Sequence, residues 1–467
     1  MWQRHKNVVA RVAAVCVSAL AVLASCGTKV VVQRQVVQRQ VVTVHDTVVV
    51  TMPVPVETPR ESYSSDWLVR TRKSLDSLCA MPLMKESQLG MLVLDLTAGE
   101  VVYEYGPRQR MRPASTMKVV TAVTAMTAVL DHPDCFKLRC WVEEYGEGTP
   151  DLVLVGGMDP MLEYKDLCSL ADNLLSAGIR EVSDVRLDVS LCDTTRWGEG
   201  WCWDDDNEAM TPFLYKGAGA ARGGGGSSRQ AWRQSPEKPF VTDLTKAFAA
   251  RKVRIKGRVF VDRIHTAPRV PSSGVGYVRV GETVGGMRLV ARVGHEWDTV
   301  LRPMMKNSDN LCAEAMLWQL GLVCGEKNPK IGRVDDALEG ICRQYGLNAS
   351  NYHVSDGSGR SLYNYVTPEL LCVLLNHAAL QPWFGRFLDA LPLMGVDGTL
   401  KKRCIGTSAY SSVQAKTGSV TGVSSLAGYM CNSESHLLCF AIINQGVRNG
   451  GLGRAFQDEV CKVLTRR

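Results

Sequence analysis

No Cys-x-x-Cys pair occurs among the 16 cysteines of this 467-residue chain, so neighbouring thiols build neither a zinc ribbon nor a thioredoxin-like redox motif. His-Glu-x-x-His is missing, and so is Gly-x-Ser-x-Gly, which removes the signals of a zinc peptidase and of an α/β-hydrolase. The glycine-rich run from Gly217 to Ser228 fails Gly-x-Gly-x-x-Gly and is followed by no phosphate-binding lysine. It reads as a surface loop, not a nucleotide site. Net charge is +7 and falls by three to +4 without the leader cations Arg4, Lys6 and Arg11, too mild to argue for nucleic acid. No residue pattern calls for a metal or another cofactor. The longest leader run of apolar residues, Val12 to Ala24, is shorter than the ~20 residues a membrane-spanning helix needs.

What the chain does have begins at that leader. Cations, a short apolar run and the tetrapeptide Leu23-Ala24-Ser25-Cys26 form an export signal, residues 1–26, whose end resembles the lipobox of bacterial lipoproteins. Cleavage before Cys26 and acylation of that residue would anchor the protein to a membrane without a spanning helix. An ordinary signal peptide with an incidental cysteine is the alternative. Residues 27–65 repeat Val-Val-Gln-Arg-Gln and carry Pro53, Pro55 and Pro59, the texture of an extended tether. With 45% hydrophobic residues, the remainder is long enough for one large domain or two to three smaller ones with real cores. Most cysteines there, Cys312, Cys324, Cys342 and Cys372 among them, fall in apolar helical patterns and read as small core residues. Cys135 with Cys140, and Cys431 with Cys439, can be bridged if the compartment is oxidising.

Folded texture begins near Asp66. Trp67 to Met81 has helical spacing, and Gly90 to Leu94 and Glu100 to Tyr105 alternate as a hairpin around Thr97-Ala98-Gly99. Then comes Pro113 to Leu130, a helix apolar on every face that carries Ser115 and Lys118 at its start. Three residues apart, the two share a face; desolvation at the mouth of such a helix lowers a lysine pKa toward that of a general base for a serine hydroxyl. A polar N-terminal serine beside a snorkelling lysine explains the same letters. A second Ser-x-x-Lys, Ser235 to Lys238, is set aside because Pro239 is expected to end any helix there. From 135 to 300 short strands dominate, Asp151 to Val155, Val185 to Val189 and Val253 to Val261, and the stretch reads as an inserted β-rich region. Helical texture returns at Leu301. Ser308-Asp309-Asn310 leads into a helix from Leu311 to Leu322, and simple capping by its polar residues is the plain alternative. Ser355-Asp356-Gly357-Ser358-Gly359 competes weakly for the same role, lacking the amide of Asn310. Lys416-Thr417-Gly418-Ser419 follows Val413 to Ala415 in a strand, with strands Ser424 to Cys431 and Leu437 to Asn444 after it; an exposed lysine on a sheet edge is the plain alternative.

Ser-x-x-Lys, Ser-x-Asn and Lys-Thr-Gly in that order resemble the penicillin-recognising serine acyltransferases. Gly156-Gly157-Met158-Asp159-Pro160, Gly200-Trp201-Cys202-Trp203, Ala313-Glu314, Asp356-Gly357-Ser358-Gly359 and Gly395 to Leu400 narrow the resemblance to the class C low-molecular-mass penicillin-binding proteins. It implies an α/β (α+β) transpeptidase-like catalytic domain, an antiparallel sheet flanked by helices, made of 66–134 and 301–467 and interrupted by inserted β-rich domains at 135–300. The implied activity is D-Ala-D-Ala carboxypeptidase or endopeptidase action on peptidoglycan stem peptides, with acylation by β-lactam antibiotics. Ser115 would be the nucleophile and Lys118 its base; Ser308 would pass a proton to the leaving amine, and Asn310 would hold Lys118 and the substrate amide. Lys416 and Thr417 would bind the terminal carboxylate, the Ser115 and Ser419 N–H groups would form the oxyanion hole, and Asp159 joins the substrate-binding set. Relatives often read Gly-Leu-Ser-Arg where this chain has Gly359-Arg360-Ser361-Leu362, which displaces an arginine. A β-lactamase shares the three motifs, but the Glu-x-x-x-Asn of class A is absent after Asn310. The other rival is a non-catalytic peptidoglycan-binding or scaffolding lipoprotein.

Overall fold

The structure, a computed structural model, describes residues 65–143, 148–190, 196–202, 209–216, 235–263, 278–323 and 333–466, together with 42–44 and 47–49. Cys26 and Cys324 lie outside the described residues. Within the expected tether, Val42–Val44 and Thr47–Val49 pair antiparallel, a short hairpin where β-branched residues gather and not a wholly extended spacer.

Helix α1 (Ser65–Cys79) leads through the turn Pro82–Glu86 into strands β1 (Gln88–Asp95) and β2 (Glu100–Tyr105). The hairpin closes because the Asp95 carboxylate accepts from the N–H groups of Thr97 and Ala98 at 2.6 and 2.8 Å. Helix α2 (Met117–Val129) follows a 3-10 turn, Ala114–Thr116, and every residue from Met117 to Met126 is buried.

The chain then builds a second sheet. Its elements are β3 (Lys137–Glu143), β4 (Asp151–Val155), α3 (Tyr164–Ser176), β5 (Val185–Asp188), α4 (Lys238–Ala250), β6 (Val259–Asp262), β7 (Thr283–Val284) and β8 (Met287–Gly294). Strand order is β6-β5-β4-β3-β8-β7, with the β6–β5 and β5–β4 pairs parallel. Leu167, Leu170 and Leu174 of α3 and Phe240, Leu244 and Phe248 of α4 cover one face of this sheet. Two expectations change here. Val253 to Val261 is not one strand: Arg254–Ile255 and β6 are separated at Gly257, which lies so close to Asp184 that a Cβ there would stand 2.0 Å from the carboxylate. Pro239 does not end a helix but opens α4 from its second position, where the missing N–H costs nothing.

The next helix starts at Trp297, whose ring packs edge-on against Phe136 at 5.2 Å. Helices α5 (Trp297–Lys306), α6 (Asn310–Val323), α7 (Arg333–Gln344), α8 (Pro368–Ala379) and α9 (Phe384–Ala390) precede strands β9 (Val413–Val420), β10 (Val423–Cys431) and β11 (Leu437–Gln445) and helix α10 (Gly450–Thr465). These strands complete an antiparallel sheet of order β9-β10-β11-β1-β2. Along β11 the pleat sends Leu438, Phe440 and Ile442 to the face shared with α1 and α10, and Cys439, Ala441 and Ile443 to the face shared with α2 and α8. The sheet is thus the middle of three layers, with α2 buried against it.

Side chains tie α6 and the loop before β3 to the second sheet. Gln319 of α6 donates to the Gly157 carbonyl at 3.1 Å and accepts from the Phe136 N–H at 3.2 Å, and Asp134 binds Arg292 at 2.7 Å. Cys140 and Cys439 are free thiols. Cys431 and Cys439 are not cross-strand partners: Cys431 faces Leu437 and Cys439 faces Tyr429.

Candidate active site

Ser115 occupies the 3-10 turn just before α2, held there by its neighbours. The Pro113 carbonyl accepts from the hydroxyls of Thr116 at 2.7 Å and Ser425 at 2.6 Å, while Ala114 takes a left-handed φ of +47°, a conformation that costs about 1 kcal/mol for a residue with a Cβ. Two motif glycines let other segments close on this turn. A Cβ on Gly359 (φ +80°) would stand 1.8 Å from the Ala114 carbonyl oxygen, and one on Gly418 would stand 2.9 Å from the Ser115 nitrogen. The glycines of Asp-Gly-Ser-Gly and Lys-Thr-Gly are required by close approach.

One turn on, the fully buried Lys118 amine lies 3.0 Å from Ser115 Oγ, 2.8 Å from Asn310 Oδ1 and 2.8 Å from the Ser358 carbonyl oxygen. Asn310 and Ser358 use two N–H positions, leaving the remaining tetrahedral position of the nitrogen toward the serine. Burial lowers the Lys118 pKa to about 8, against the opposing pull of Glu314, Asp356 and Asp309.

Asn310 reaches Lys118 because its neighbour does the capping. Asp309 accepts from the Cys312 N–H at 2.9 Å at the start of α6, so the polar residues of Ser-Asp-Asn divide the work and Asn310 points inward. Ser308 sits at φ +61°, a strained backbone that aims its hydroxyl at the Lys416 amine, 2.9 Å away. Lys416 also donates to the Thr417 carbonyl at 2.7 Å. Far from being an exposed edge residue, Lys416 is fully buried, and burial followed by repulsion from Lys118 holds its pKa well below the ordinary lysine range. The Thr417 hydroxyl meets Thr399 at 2.8 Å, and Lys306 pairs with Asp397, which links Gly395 to Leu400 to this strand. Ser419 follows at the exposed end of the motif.

Ser115, Lys118, Ser308, Asn310, Lys416 and Thr417 therefore converge. Asp159 does not join them as an available ligand: it is 2% exposed, one oxygen accepts from the Met161 N–H at 2.9 Å, and the other binds the backbone and ring nitrogens of His295 at 3.0 and 2.8 Å. Its carboxylate is spent in fixing the loop to the end of β8. Nor is Ser355 to Gly359 a rival to Ser-x-Asn; it wraps the same lysine. Within that loop Asp356 accepts from the Gly359 N–H at 2.7 Å, the Ser361 N–H at 2.6 Å and the Trp201 indole at 2.9 Å. Beside Asn310 opens a cleft of about 440 Å³, bordered by Met161, Trp201, Met210, Lys216 and Arg360. Among the described residues no group of His, Cys, Asp or Glu is placed to hold a metal.

A family model, D-Ala-D-Ala carboxypeptidase 3 (S13) family, matches residues 71–215 and 275–466, well over half the chain and all three motifs. The chain belongs to this S13 family. Similar curated proteins include the D-alanyl-D-alanine carboxypeptidase of Actinomadura sp. (strain R39), 26% identical, and carboxypeptidase DacB of Mycolicibacterium smegmatis, 29% identical, each with 84% of both chains covered. Among solved structures, penicillin binding protein 4 (dacB) from Haemophilus influenzae superposes with a TM-score of 0.66 at 22% identity, covering 83% of this chain and 97% of that one. That likeness establishes the fold, the α/β transpeptidase-like architecture expected from the motifs, and the S13 match carries the family. Its activity is accordingly the S13 one, a serine-type D-Ala-D-Ala peptidase.

Proposed function

We propose that Ser115 carries this activity on peptidoglycan stem peptides. The observation that supports it best is the Lys118 amine, buried and 3.0 Å from the Ser115 hydroxyl with two fixed acceptors on its other side. Neutral Lys118 takes the hydroxyl proton as Ser115 Oγ attacks the carbonyl of the penultimate D-Ala. The backbone N–H groups of Ser115 and Ser419 receive the oxyanion. Ser308, backed by Lys416, hands a proton to the departing amine, while Lys416 and Thr417 draw the substrate carboxylate by charge-assisted hydrogen bonds. A free D-Ala leaves in the carboxypeptidase reaction and a cross-linked peptide amine in the endopeptidase reaction; water then cleaves the Ser115 ester. A β-lactam presents a similar acyl group and carboxylate, and stops at the ester.

The division of labour proposed for the chain assigns 66–134 and 301–467 to catalysis and 135–300 to an insertion that supplies one wall of the cleft. The periplasm is the compartment that holds the substrate. Among the described residues no helix is long and apolar enough to cross a membrane, and the lipid anchor at Cys26 supplies the membrane attachment in this reading. The test is to incubate the full-length protein with purified peptidoglycan and weigh the products by mass spectrometry. Wild type should release D-Ala or split cross-links, and Ser115→Ala should do neither and should lose covalent labelling by a fluorescent penicillin. A folded Ser115→Ala protein that still labels would put the nucleophile elsewhere.

A further inference from the structure

Glu314 is a carboxylate that none of these steps uses, and it is 3% exposed. Burying an ionisable group costs several kcal/mol unless its oxygens are well partnered. Its partners are specific: one oxygen accepts from the Gly357 N–H at 3.0 Å and the other from the Ser358 N–H at 2.9 Å. The carbonyl of that same Ser358 accepts from Lys118 at 2.8 Å, and the Gly357 carbonyl accepts from Thr121 of α2 at 2.7 Å. Glu314 also stands four residues after Asn310 on α6, so the two share a helical face. One face of α6 therefore touches the amine twice, directly through Asn310 and indirectly through the loop.

We infer that Glu314 is a positioning residue, whose two oxygens hold the Gly357–Ser358 backbone so that the Ser358 carbonyl fixes the Lys118 amine against Ser115. The assignment rests on Lys118 being the base. Glutamine cannot replace it, because an amide has one acceptor oxygen and would turn an NH₂ toward a backbone N–H. Glu314 acts on Lys118 electrostatically as well. The charged groups around the amine are Glu314, Asp356 and Asp309, which favour the ammonium, and Arg360 and Lys416, which oppose it. Burial, and then the Asp356 charge, push the Glu314 carboxyl up to about 8, so the acid and the amine titrate together as a pair; replacing the carboxylate removes its pull on the ammonium, favours the neutral amine and moves its titration to lower pH. A loop held only for packing would lower stability and leave the limiting acylation rate of the folded variant in place.

The experiment follows acylation of the full-length enzyme by a fluorescent penicillin against pH, separating the limiting acylation rate from the non-covalent binding constant. Glu314→Gln should still label Ser115 with binding little changed, its high-pH rate about ten- to a hundredfold lower and its midpoint shifted to lower pH. A folded variant with the wild-type rate and midpoint overturns the assignment, and so does a slower variant whose midpoint stays in place. Lys118→Arg separates the two premises: fast labelling of that variant refutes the base itself, whatever Glu314 does. Should Glu314→Gln not fold, amide hydrogen exchange in wild type decides. The Gly357 and Ser358 amides should exchange as slowly as the centre of α6, and exchange at the rate of a surface loop refutes the clamp.

Discussion

Lowering the pH from 8 to 6 should slow acylation of Ser115 about fiftyfold, and the shape of the profile tests the role given to Lys118. An ordinary lysine at 10.5 is almost wholly protonated over this range; burial brings Lys118 to about 8. About half of the molecules then hold a neutral amine at pH 8 and about one in a hundred at pH 6, since each pH unit below the midpoint costs a factor of about ten. The logarithm of the acylation rate should rise with unit slope to pH 7.5 or so and level off near pH 9. A rate that climbs with unit slope to pH 10.5 would mean an unshifted lysine, and a flat profile from pH 6 to 9 would mean a different base; either outcome refutes the reasoning. The same shift has a signature in stability. With the folded pKa below the unfolded one, the unfolded chain binds the extra proton between pH 8 and 10.5, so Lys118 costs stability below pH 8 and the cost disappears as pH rises to 10.5. The amine is fully buried and no solvent screening reduces the effect. Lys118→Met does not titrate there, so its stability relative to wild type should decline by about 3 kcal/mol across that window, read from urea unfolding at each pH.

Lys416→Met should leave the melting temperature nearly unchanged, since it replaces a desolvated amine by an apolar chain of similar length, yet it should erase most of the preference for a D-Ala-D-Ala peptide with a free C-terminus over its amide, measured as kcat/KM for each. The charge-assisted bond it removes is worth roughly 1.5–3 kcal/mol, and equal preference in both enzymes would withdraw the carboxylate role of the Lys-Thr-Gly motif. Cys26→Ser should move the protein from the membrane to the soluble periplasmic fraction; a variant that still floats with membranes has another anchor.

The residues that converge on Ser115 were legible because the chemistry proposed for them restricts residue type and spacing. Only a few side chains can attack a carbonyl, and a lysine one turn after a serine on an all-apolar helix has few other uses. The hairpin at Thr97 to Gly99 and the three C-terminal strands were legible for a second reason, that alternation of apolar residues reports which faces are buried. Periodicity says nothing about what covers a polar residue, however, and the readings that changed share this cause. Lys416 stands on the edge strand β9, where a sequence alone expects exposure, but the turn around Ser308 closes over it and makes a surface charge into a buried donor. Asp159 belongs to a motif read by its resemblance to a family pattern, while its environment is set by His295, 136 residues away in the chain, which no local pattern connects to it. Pro239 shows the same limit in the backbone: a proline is compatible with the first turn of a helix and with its end, and only the residues that pack afterwards, Phe240 and Leu244, decide between them. Glu314 is the extreme case. Its letters were visible beside Ser-Asp-Asn, but its work consists of two bonds to the backbone of a loop more than forty residues later, and backbone partners leave no trace in residue type. Chemistry at the reacting atoms is therefore written in side-chain identity, whereas the geometry that aims those atoms is written in the main chain of Gly357 and Ser358 and is recovered only from the fold.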